Sequence, residues 1–248
     1  MLAPHIYLAL PAGTQVLGHQ LGQNDELSSF HVAFPTWGVS FGENEEVVSI
    51  IKSAHKGREV ANVGRVKGDR STLYKYLNPH LSVVISAPSR TSPSPSPSCG
   101  LYVMDTVKGA VLYQVSLPVL DGKCDIQVSL DENWLVYSYY DDDAEGGGVQ
   151  GYRVVSVEMY EGYGPDEKTS RCVLVLTVRV QHRTGTDKRV AVYSSDITSY
   201  SNKTTEISVY EQAFVLPHGV TAIATTTTKF GVSTKDIIGE LVSGQYSP

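Results

Sequence analysis

Short apolar stretches separated by turn residues run along most of the chain, and the abundance of Tyr, Val and Thr favours strands at these positions. Strands do not alternate with full-length helices, which argues against a parallel α/β fold. Many short strands at roughly even spacing predict an all-β sandwich, barrel or propeller. The predicted strands lie at residues 6–10, 30–34, 47–51, 82–86, 101–106, 110–116, 126–130, 134–139, 153–160, 172–180, 190–194, 207–209, 219–225 and 237–241.

One predicted hairpin, at residues 101–113, has a turn whose residues explain its shape. Asp105 and Gly109 frame a turn of the pattern Asp-x-x-x-Gly between two β-rich runs. The Asp105 carboxylate can accept backbone N–H groups inside the turn, and Gly109 can take a positive φ. This pattern recurs in propeller blades, although a hairpin of any β fold can carry it, and residues 237–245 show a weaker echo.

Two segments are predicted to be loops, and a third differs in charge. Residues 89–98 (SRTSPSPSPS) form a Ser/Pro insertion that cannot join a ladder or bury apolar area, so we predict disorder there. Residues 141–148 (DDDAEGGG) form an acidic, Gly-rich turn. Residues 171–189 hold most of their charge as Arg, Lys and His in an otherwise acidic chain.

Composition narrows the class of protein. The chain has 248 residues, of which 41% are hydrophobic and 19% charged, which is typical of one large globular domain or two small ones. A net charge of −6 argues against nucleic acid as the main partner, because phosphate binding needs clustered positive charge. The longest apolar run, residues 172–180, is broken by Arg179 and cannot cross a bilayer core of about 30 Å.

Cysteine and histidine spacing does not predict a metal site. Cys99, Cys124 and Cys172 lie far apart and form no C-x-x-C motif, which leaves one disulfide with a spare thiol as an open possibility. Seven histidines show no metal-ligand spacing, and the chain has no Gly-rich phosphate-binding motif. We therefore predict no metal and no cofactor.

A serine nucleophile is the main catalytic alternative. Residues 38–42 (GVSFG) match the nucleophile-elbow pattern, in which a strained strand-to-helix turn exposes a serine, here Ser40. Residues 30–34 would supply the strand, and residues 43–53 would supply the helix. However, Pro35 interrupts the strand, and no downstream Asp or His is marked as a partner. We favour a plain loop and keep a serine hydrolase as the alternative.

Two further motifs concern the surface. Residues 141–146 imitate the opening of a calcium loop, but the twelfth position is Tyr152, which cannot supply the bidentate carboxylate. A solvated hairpin tip is favoured over a weak surface calcium site. Asn202 begins an N-glycosylation sequon, Asn-Lys-Thr, in a polar stretch.

Several blocks of sequence, in order along the chain, resemble subunit 1 of the endoplasmic reticulum membrane protein complex. The first block, residues 64–80 (GRVKGDRSTLYKYLNPH), is similar to the signature of that family. Further blocks are the hairpin at residues 101–112, residues 131–140 (DENWLVYSYY) with 157–161 (VEMYE), and residues 225–244. The resemblance extends from about residue 30 to residue 245, nearly the whole chain.

This resemblance implies an all-β fold that is part of a β-propeller with several four-stranded antiparallel blades, so that residues 1–248 form one lumenal region. It implies no catalysis: the family's subunit 1 is a lumenal scaffold of a complex that inserts tail-anchored and multipass membrane proteins. Partners would be other subunits of the complex and client membrane proteins, at the lumenal side of the endoplasmic reticulum membrane. A free-standing, protein-binding propeller remains a further alternative.

The resemblance also singles out residues. Asn202 becomes a candidate glycosylation site, because the family region is lumenal. The first block is either a subunit contact with Tyr and Arg anchors or an internal cluster, in which Asp69 pairs with Arg70 and the tyrosines pack between blades. We favour the internal interpretation. The family-motif residues are Gly64, Gly68, Asp69, Arg70, Tyr74, Lys75, Tyr76, Asn78, Pro79, Asp105, Gly109, Asn133, Trp134 and Gly231.

The chain also departs from the family pattern. No signal peptide precedes the match, and Tyr246-Ser247-Pro248 stand where the family continues into a basic stretch and a transmembrane helix. Residues 171–192 have no counterpart in the family pattern. These departures suggest a truncated gene model or a retained intervening sequence.

Overall fold

Every regular element that the structure describes is a β-strand. The structure is a computed structural model that describes residues 6–23, 31–42, 44–53, 60–89, 97–142, 150–162, 179–180, 207–226, 228, 231–232 and 235–241. The strands are β1 (Ile6–Ala12), β2 (Gln15–Gln23), β3 (His31–Ser40), β4 (Glu45–Lys52), β5 (Gly64–Val66), β6 (Thr72–Tyr74), β7 (Leu81–Pro88), β8 (Cys99–Asp105), β9 (Ala110–Leu117), β10 (Gln127–Asp131), β11 (Trp134–Asp141), β12 (Gly151–Glu161), β13 (Arg179–Val180), β14 (Ile207–Leu216), β15 (Val220–Thr225) and β16 (Ile237–Leu241). The all-β prediction is confirmed.

The predicted strands that lie within the described residues are found, most of them with ends within two residues of the prediction. The exceptions are β3, which continues from residue 34 to Ser40, and β14, which continues from residue 209 to Leu216. Three strands were missed: β2, which carries two glycines, and β5 and β6, which have three residues each and show no alternation to read. Of the predicted strand at residues 172–180 only Arg179–Val180 is described, and the one at 190–194 lies outside the described residues. Most of the Ser/Pro segment 89–98 lies outside them too.

Pro35 does not end its strand, contrary to the sequence expectation. β3 continues through Pro35 to Ser40, with a bulge between Gly18 and His19 of the facing strand. In the sheet order β1-β2-β3, β3 is an outer strand that pairs with β2 alone. Proline, which has no N–H to donate, is tolerated in such a strand because one of its two sides has no neighbouring strand to bond.

The chain divides into two compact units, and the first contains Met1–Lys52 and His80–Cys124. It holds the three-stranded sheet β1-β2-β3 and the antiparallel four-stranded sheet β4-β7-β8-β9. Val16, Val84 and Met104 form a fully buried cluster, and partly buried side chains such as Trp37 and Phe41 pack against it.

The second unit contains Ser53–Pro79 and Asp125–Pro248. Its main sheet has the order β10-β11-β12-β14-β13, in which the first four strands are antiparallel and β13 is parallel to β14. Among the described residues of this unit there are also two hairpins, β5-β6 and β15-β16. Each unit thus holds a set of four antiparallel strands, as the fold prediction requires.

The predicted turn of the β8–β9 hairpin is confirmed in detail. Asp105 Oδ1 accepts the backbone N–H groups of Val107 at 2.8 Å and Lys108 at 3.2 Å, and Gly109 has a φ of 68°. A Cβ on Gly109 would lie 2.6 Å from the Trp37 ring, whose Nε1 donates to Thr106 O at 3.1 Å. This turn therefore serves as a platform for Trp37 within the first unit.

Two of the three cysteines are joined. Cys99, at the start of β8, forms a disulfide with Cys124, 25 residues later and past the end of β9. This answers a question that cysteine spacing left open. Cys172 lies outside the described residues.

Candidate functional site

The blocks of sequence that fall in the second unit converge on one buried cluster of charged and aromatic side chains. Its first ion pair joins the block at residues 64–80 to the β10–β11 turn. Lys75 Nζ lies 2.6 Å from Glu132 Oε2, and both side chains are almost fully buried, at 6% and 1% exposure. Charges at this depth are tolerated only when they are paired and hydrogen-bonded.

Glu132 also reaches the C-terminal part of the unit. Its Oε1 accepts the backbone N–H of Val232 at 2.8 Å, next to the motif residue Gly231, which has a φ of 94°. Glu132 itself has a φ of 50° in the two-residue turn between β10 and β11. The turn thus directs an inward-facing carboxylate that binds two other parts of the chain.

Glu158 on β12 is the second centre of the cluster. Lys235 Nζ lies 2.6 Å from Glu158 Oε1 and Arg65 Nη1 lies 3.3 Å from Oε2, which also accepts the Tyr160 hydroxyl. Burial works to raise the pKa of the Glu158 carboxyl, but Lys235, Tyr160 and Arg65 outweigh it and hold that pKa below its ordinary value. Burial, followed by the Glu158 charge, raises the pKa of Tyr160 well above the ordinary value.

Lys235 is partly buried between a carboxylate and an aromatic ring. Its Nζ lies 5.6 Å from the centre of the Trp134 ring, in addition to the Glu158 contact. Burial lowers the pKa of Lys235 to about 8, and the charges of Lys75 and Arg65 act in the same direction against the pull of Glu158. Trp134 Nε1 donates to Ser156 Oγ at 2.8 Å, which fixes the ring under the ammonium.

Backbone bonds join the same blocks. Tyr76 N donates to Met159 O at 3.1 Å, and Met159 N donates to Asn133 O at 2.9 Å. The Asn133 side chain returns a bond from Nδ2 to Met159 O at 2.7 Å, and Lys75 forms an isolated antiparallel bridge with Tyr160. These bonds place β12 at the centre of the cluster.

The β5–β6 hairpin divides the first block into a buried part and an exposed part. Ser71–Asn78 are all buried, whereas Gly68, Asp69 and Arg70 are exposed at the turn. Asp69 Oδ1 accepts from Ser71 Oγ at 2.6 Å and from Ser71 N at 2.9 Å. Asp69 is therefore bound by Ser71, and not by Arg70 as the internal interpretation had expected.

The other motif residues are placed as follows. Tyr74, Tyr76 and Asn78 are buried, and Asn78 Nδ2 donates to the Tyr76 hydroxyl at 3.3 Å. Pro79 is exposed, while Gly64 is buried with Leu73 O 3.0 Å from where its Cβ would be. Asp105 and Gly109 belong to the first unit and take no part in this cluster. Asn202 lies outside the described residues.

Ser40 does not have the geometry of a nucleophile elbow. β3 ends at Ser40, and the residues that would form the helix instead form β4 (Glu45–Lys52). A strand-to-strand connection lacks the helix N-terminus that the elbow requires.

The acidic segment that was compared with a calcium loop is described only in part, because residues 143–149 lie outside the described residues. Asp141 Oδ2 is bound by Arg153 Nε at 2.5 Å. No group of three metal-ligating side chains occurs within the described ranges.

Four cluster residues were not predicted from the sequence: Arg65, Glu132, Glu158 and Lys235. Each lies within a block that carries the resemblance, but a charged residue in a β-rich block normally faces solvent. Sequence alone does not pair Glu132 with Lys75, 57 residues away.

Comparison with known proteins agrees with the all-β fold. Residues 3–246 match the family described as "ER membrane protein complex subunit 1, second beta-propeller". Proteins named "ER membrane protein complex subunit 1" are similar: that of Xenopus laevis is 26% identical over 89% of this chain and 18% of its own length. Those of Schizosaccharomyces pombe and Saccharomyces cerevisiae are 28% and 27% identical, over 85% and 86% of this chain and 20% and 24% of theirs.

Proposed function

Because the chain belongs to the family of ER membrane protein complex subunit 1, which it matches along the second β-propeller, we propose that it is a non-catalytic scaffold module of that complex. It binds other subunits, and so supports the insertion and folding of tail-anchored and multipass membrane proteins. The chain spans about a fifth of the length of the curated relatives it matches, so this role is proposed for one part of a larger protein.

The observation that carries the proposal is that the charged residues of the cluster are used internally. Lys75, Glu132, Glu158 and Lys235 bind one another or the backbone. A catalytic constellation would instead hold a nucleophile and a base facing a cleft. The cluster therefore supports a rigid body whose outer surface does the binding. No helix in the described residues is long and apolar enough to cross a membrane.

The disulfide supports the lumenal side of the endoplasmic reticulum as the compartment. Cys99 and Cys124 form a stable bridge only where thiols are oxidised, as in the lumen, and not in reducing cytosol. The same compartment would allow glycosylation of Asn202. A mobility shift on removal of N-glycans, absent in Asn202→Gln, tests that modification.

Residues 171–192 are proposed to be an insertion that the scaffold role does not need. Their basic composition in an acidic chain supports this, and sequencing of the transcript across residues 168–195 tests it. An abundant, uninterrupted message with these codons would show that the segment is a regular part of the protein.

Affinity purification tests the scaffold role. The tagged natural-locus product is solubilised from microsomes in mild detergent, and its partners are identified by mass spectrometry. Recovery of the other complex subunits is expected, whereas a soluble cytosolic protein without them would favour a free-standing propeller. An active-site serine probe that labels the protein and fails on Ser40→Ala would revive the hydrolase alternative.

A further inference from the structure

We propose that the tip of the β5–β6 hairpin, residues 67–71 and here called the basic tip, is a docking point for an acidic segment of a partner protein. The inference rests on the scaffold role, since it assigns one surface and one partner chemistry to it. The tip is the exposed end of a block whose remainder is buried: Gly68, Asp69 and Arg70 face solvent.

The tip keeps a net positive charge, because its one carboxylate offsets only one of its two cations. Lys67 and Arg70 stand beside a single carboxylate, Asp69, in a chain with a net charge of −6. Asp69 is bound by the Ser71 hydroxyl and N–H, and these hydrogen bonds lower its pKa. The Arg70 guanidinium has no hydrogen bond or ion pair among the described residues, so it is available for a bidentate contact with a carboxylate.

The backbone holds Arg70 in one place. Arg70 N donates to Lys67 O at 3.0 Å and Lys67 N donates to Ser71 O at 2.8 Å, which closes the turn. Arg70 has a φ of 69°, a conformation that glycine or asparagine adopts at lower cost in such hairpin loops. An arginine at this position is conformationally unfavourable, which is expected where the side chain is needed for contact.

Contacts on both sides of Arg70 hold the hairpin in place. Arg65, on β5, is held by Glu158 at 3.3 Å, and Lys67 Nζ lies 5.6 Å from the centre of the Tyr210 ring. Beyond the tip, Lys75 is held by Glu132. A partner that binds the tip therefore does not have to order it first, which lowers the entropy cost of association.

Two cations fit a short acidic segment better than the other anionic surfaces. Recognition of anionic lipid typically uses clusters of about four to eight Lys or Arg, and a nucleic-acid backbone likewise needs an extended basic stripe. Arginine at the centre of a contact and carboxylates opposite it are typical of protein interfaces. We therefore assign the tip to Asp- or Glu-rich sequence in another subunit.

The experiment compares purifications of the full-length, tagged natural-locus protein that carries Arg70→Glu, Arg70→Gly or the control Lys123→Glu. Arg70→Gly suits the left-handed backbone, so it removes the guanidinium without disturbing the turn. Lys123 is an exposed lysine of the first unit, and Lys123→Glu makes the same change of charge as Arg70→Glu. A photo-crosslinking residue at position 70 identifies what the tip touches.

We expect Arg70→Glu to reduce recovery of at least one subunit about tenfold, Arg70→Gly to reduce it less, and Lys123→Glu to leave it unchanged. The crosslink is expected on an acidic segment of that subunit. Unchanged recovery with both Arg70 variants, or a crosslink to lipid alone, overturns the proposal that the tip is a docking point, while the scaffold role stands. Failure of the unaltered protein to recover any subunit overturns the scaffold role itself.

Discussion

At the scale of single residues, the second unit depends on charges that are buried and paired. Lys75 and Glu132 lose their water almost completely, and their contact at 2.6 Å offsets that loss. A buried ion pair is weak evidence of net stability, because apolar residues of the same size do as well. Removing one member is a different matter, because the other then remains buried without a counter-charge.

Lys75→Met is therefore expected to lower the free energy of unfolding by about 3–5 kcal/mol. The double variant Lys75→Met/Glu132→Gln removes both charges and should recover part of that loss. Chemical denaturation measures both, with Lys123→Met as the surface control, expected within about 0.5 kcal/mol of the unaltered protein. If Lys75→Met changed the free energy of unfolding no more than Lys123→Met, the buried pair would not be needed for stability.

Gly109 supports a second residue-scale prediction, in the first unit. Ala at this position meets both a positive φ and the Trp37 ring 2.6 Å from its Cβ. Gly122→Ala is the matched control, since Gly122 has a φ of 73° and no atom within 4 Å of its Cβ. Thermal unfolding should show a cost of about 1–2 kcal/mol for the control and a larger one for Gly109→Ala. Equal losses would mean that Trp37 moves aside freely.

At the scale of elements, the segment that precedes β16 is held to the main sheet by carboxylates of the β10–β11 turn and β12. Glu132 binds the Val232 N–H, and Glu158 binds Lys235. Hairpin β15–β16 is short and largely exposed, so the single ladder between its two strands gives it little stability by itself. Its attachment should therefore respond to the charge of Lys235.

The pH dependence follows from the lowered pKa of Lys235, about 8 in the folded chain against 10.5 for an ordinary lysine. Between these values the unfolded chain binds more protons, so this group makes stability rise with pH from about 8 to about 10.5. Denaturation of the unaltered protein and of Lys235→Met across that range isolates the effect as their difference. A difference that is flat or falls with pH would contradict the burial of this ammonium.

At the scale of the whole molecule, the Cys99–Cys124 bridge acts inside the first unit only. It closes a loop of 25 residues, and removal of such a bridge typically costs about 2–5 kcal/mol. Hydrogen exchange on the Cys99→Ser/Cys124→Ser variant should show lost protection in β7, β8 and β9. Strands of the second unit serve as the internal control, and equal loss there would mean that both units unfold together.

Much of the fold could be predicted from local signals. Turn residues such as Asp105 and Gly109 carry their conformational requirement in their own chemistry, and the β8–β9 hairpin has the predicted turn. Short strands without alternation, such as β5 and β6, could not be read, because three residues give no period. Pro35 was wrongly expected to interrupt its strand, because the effect of a proline depends on whether the strand lies inside the sheet or at its edge, which the sequence does not show.

The candidate site was predictable only in outline. The sequence marked Lys75, Trp134 and Gly231 as family residues and left open whether the first block is a contact or an internal cluster. The structure divides that block, with Lys75 and Tyr76 buried and Arg70 at the surface. Which carboxylate neutralises which cation was not readable, since charge alone does not select a partner.

The sequence by itself determined the all-β class, the turns and the family, because strand period, turn chemistry and ordered motifs are local properties of the chain. Only the tertiary structure decided that Cys99 bonds Cys124, that Glu132 binds Lys75, and that Glu158 collects Arg65 and Lys235. These pairings join residues 25 to 93 positions apart. Such contacts form only when strands pack, since burial removes the water that would otherwise satisfy each charge.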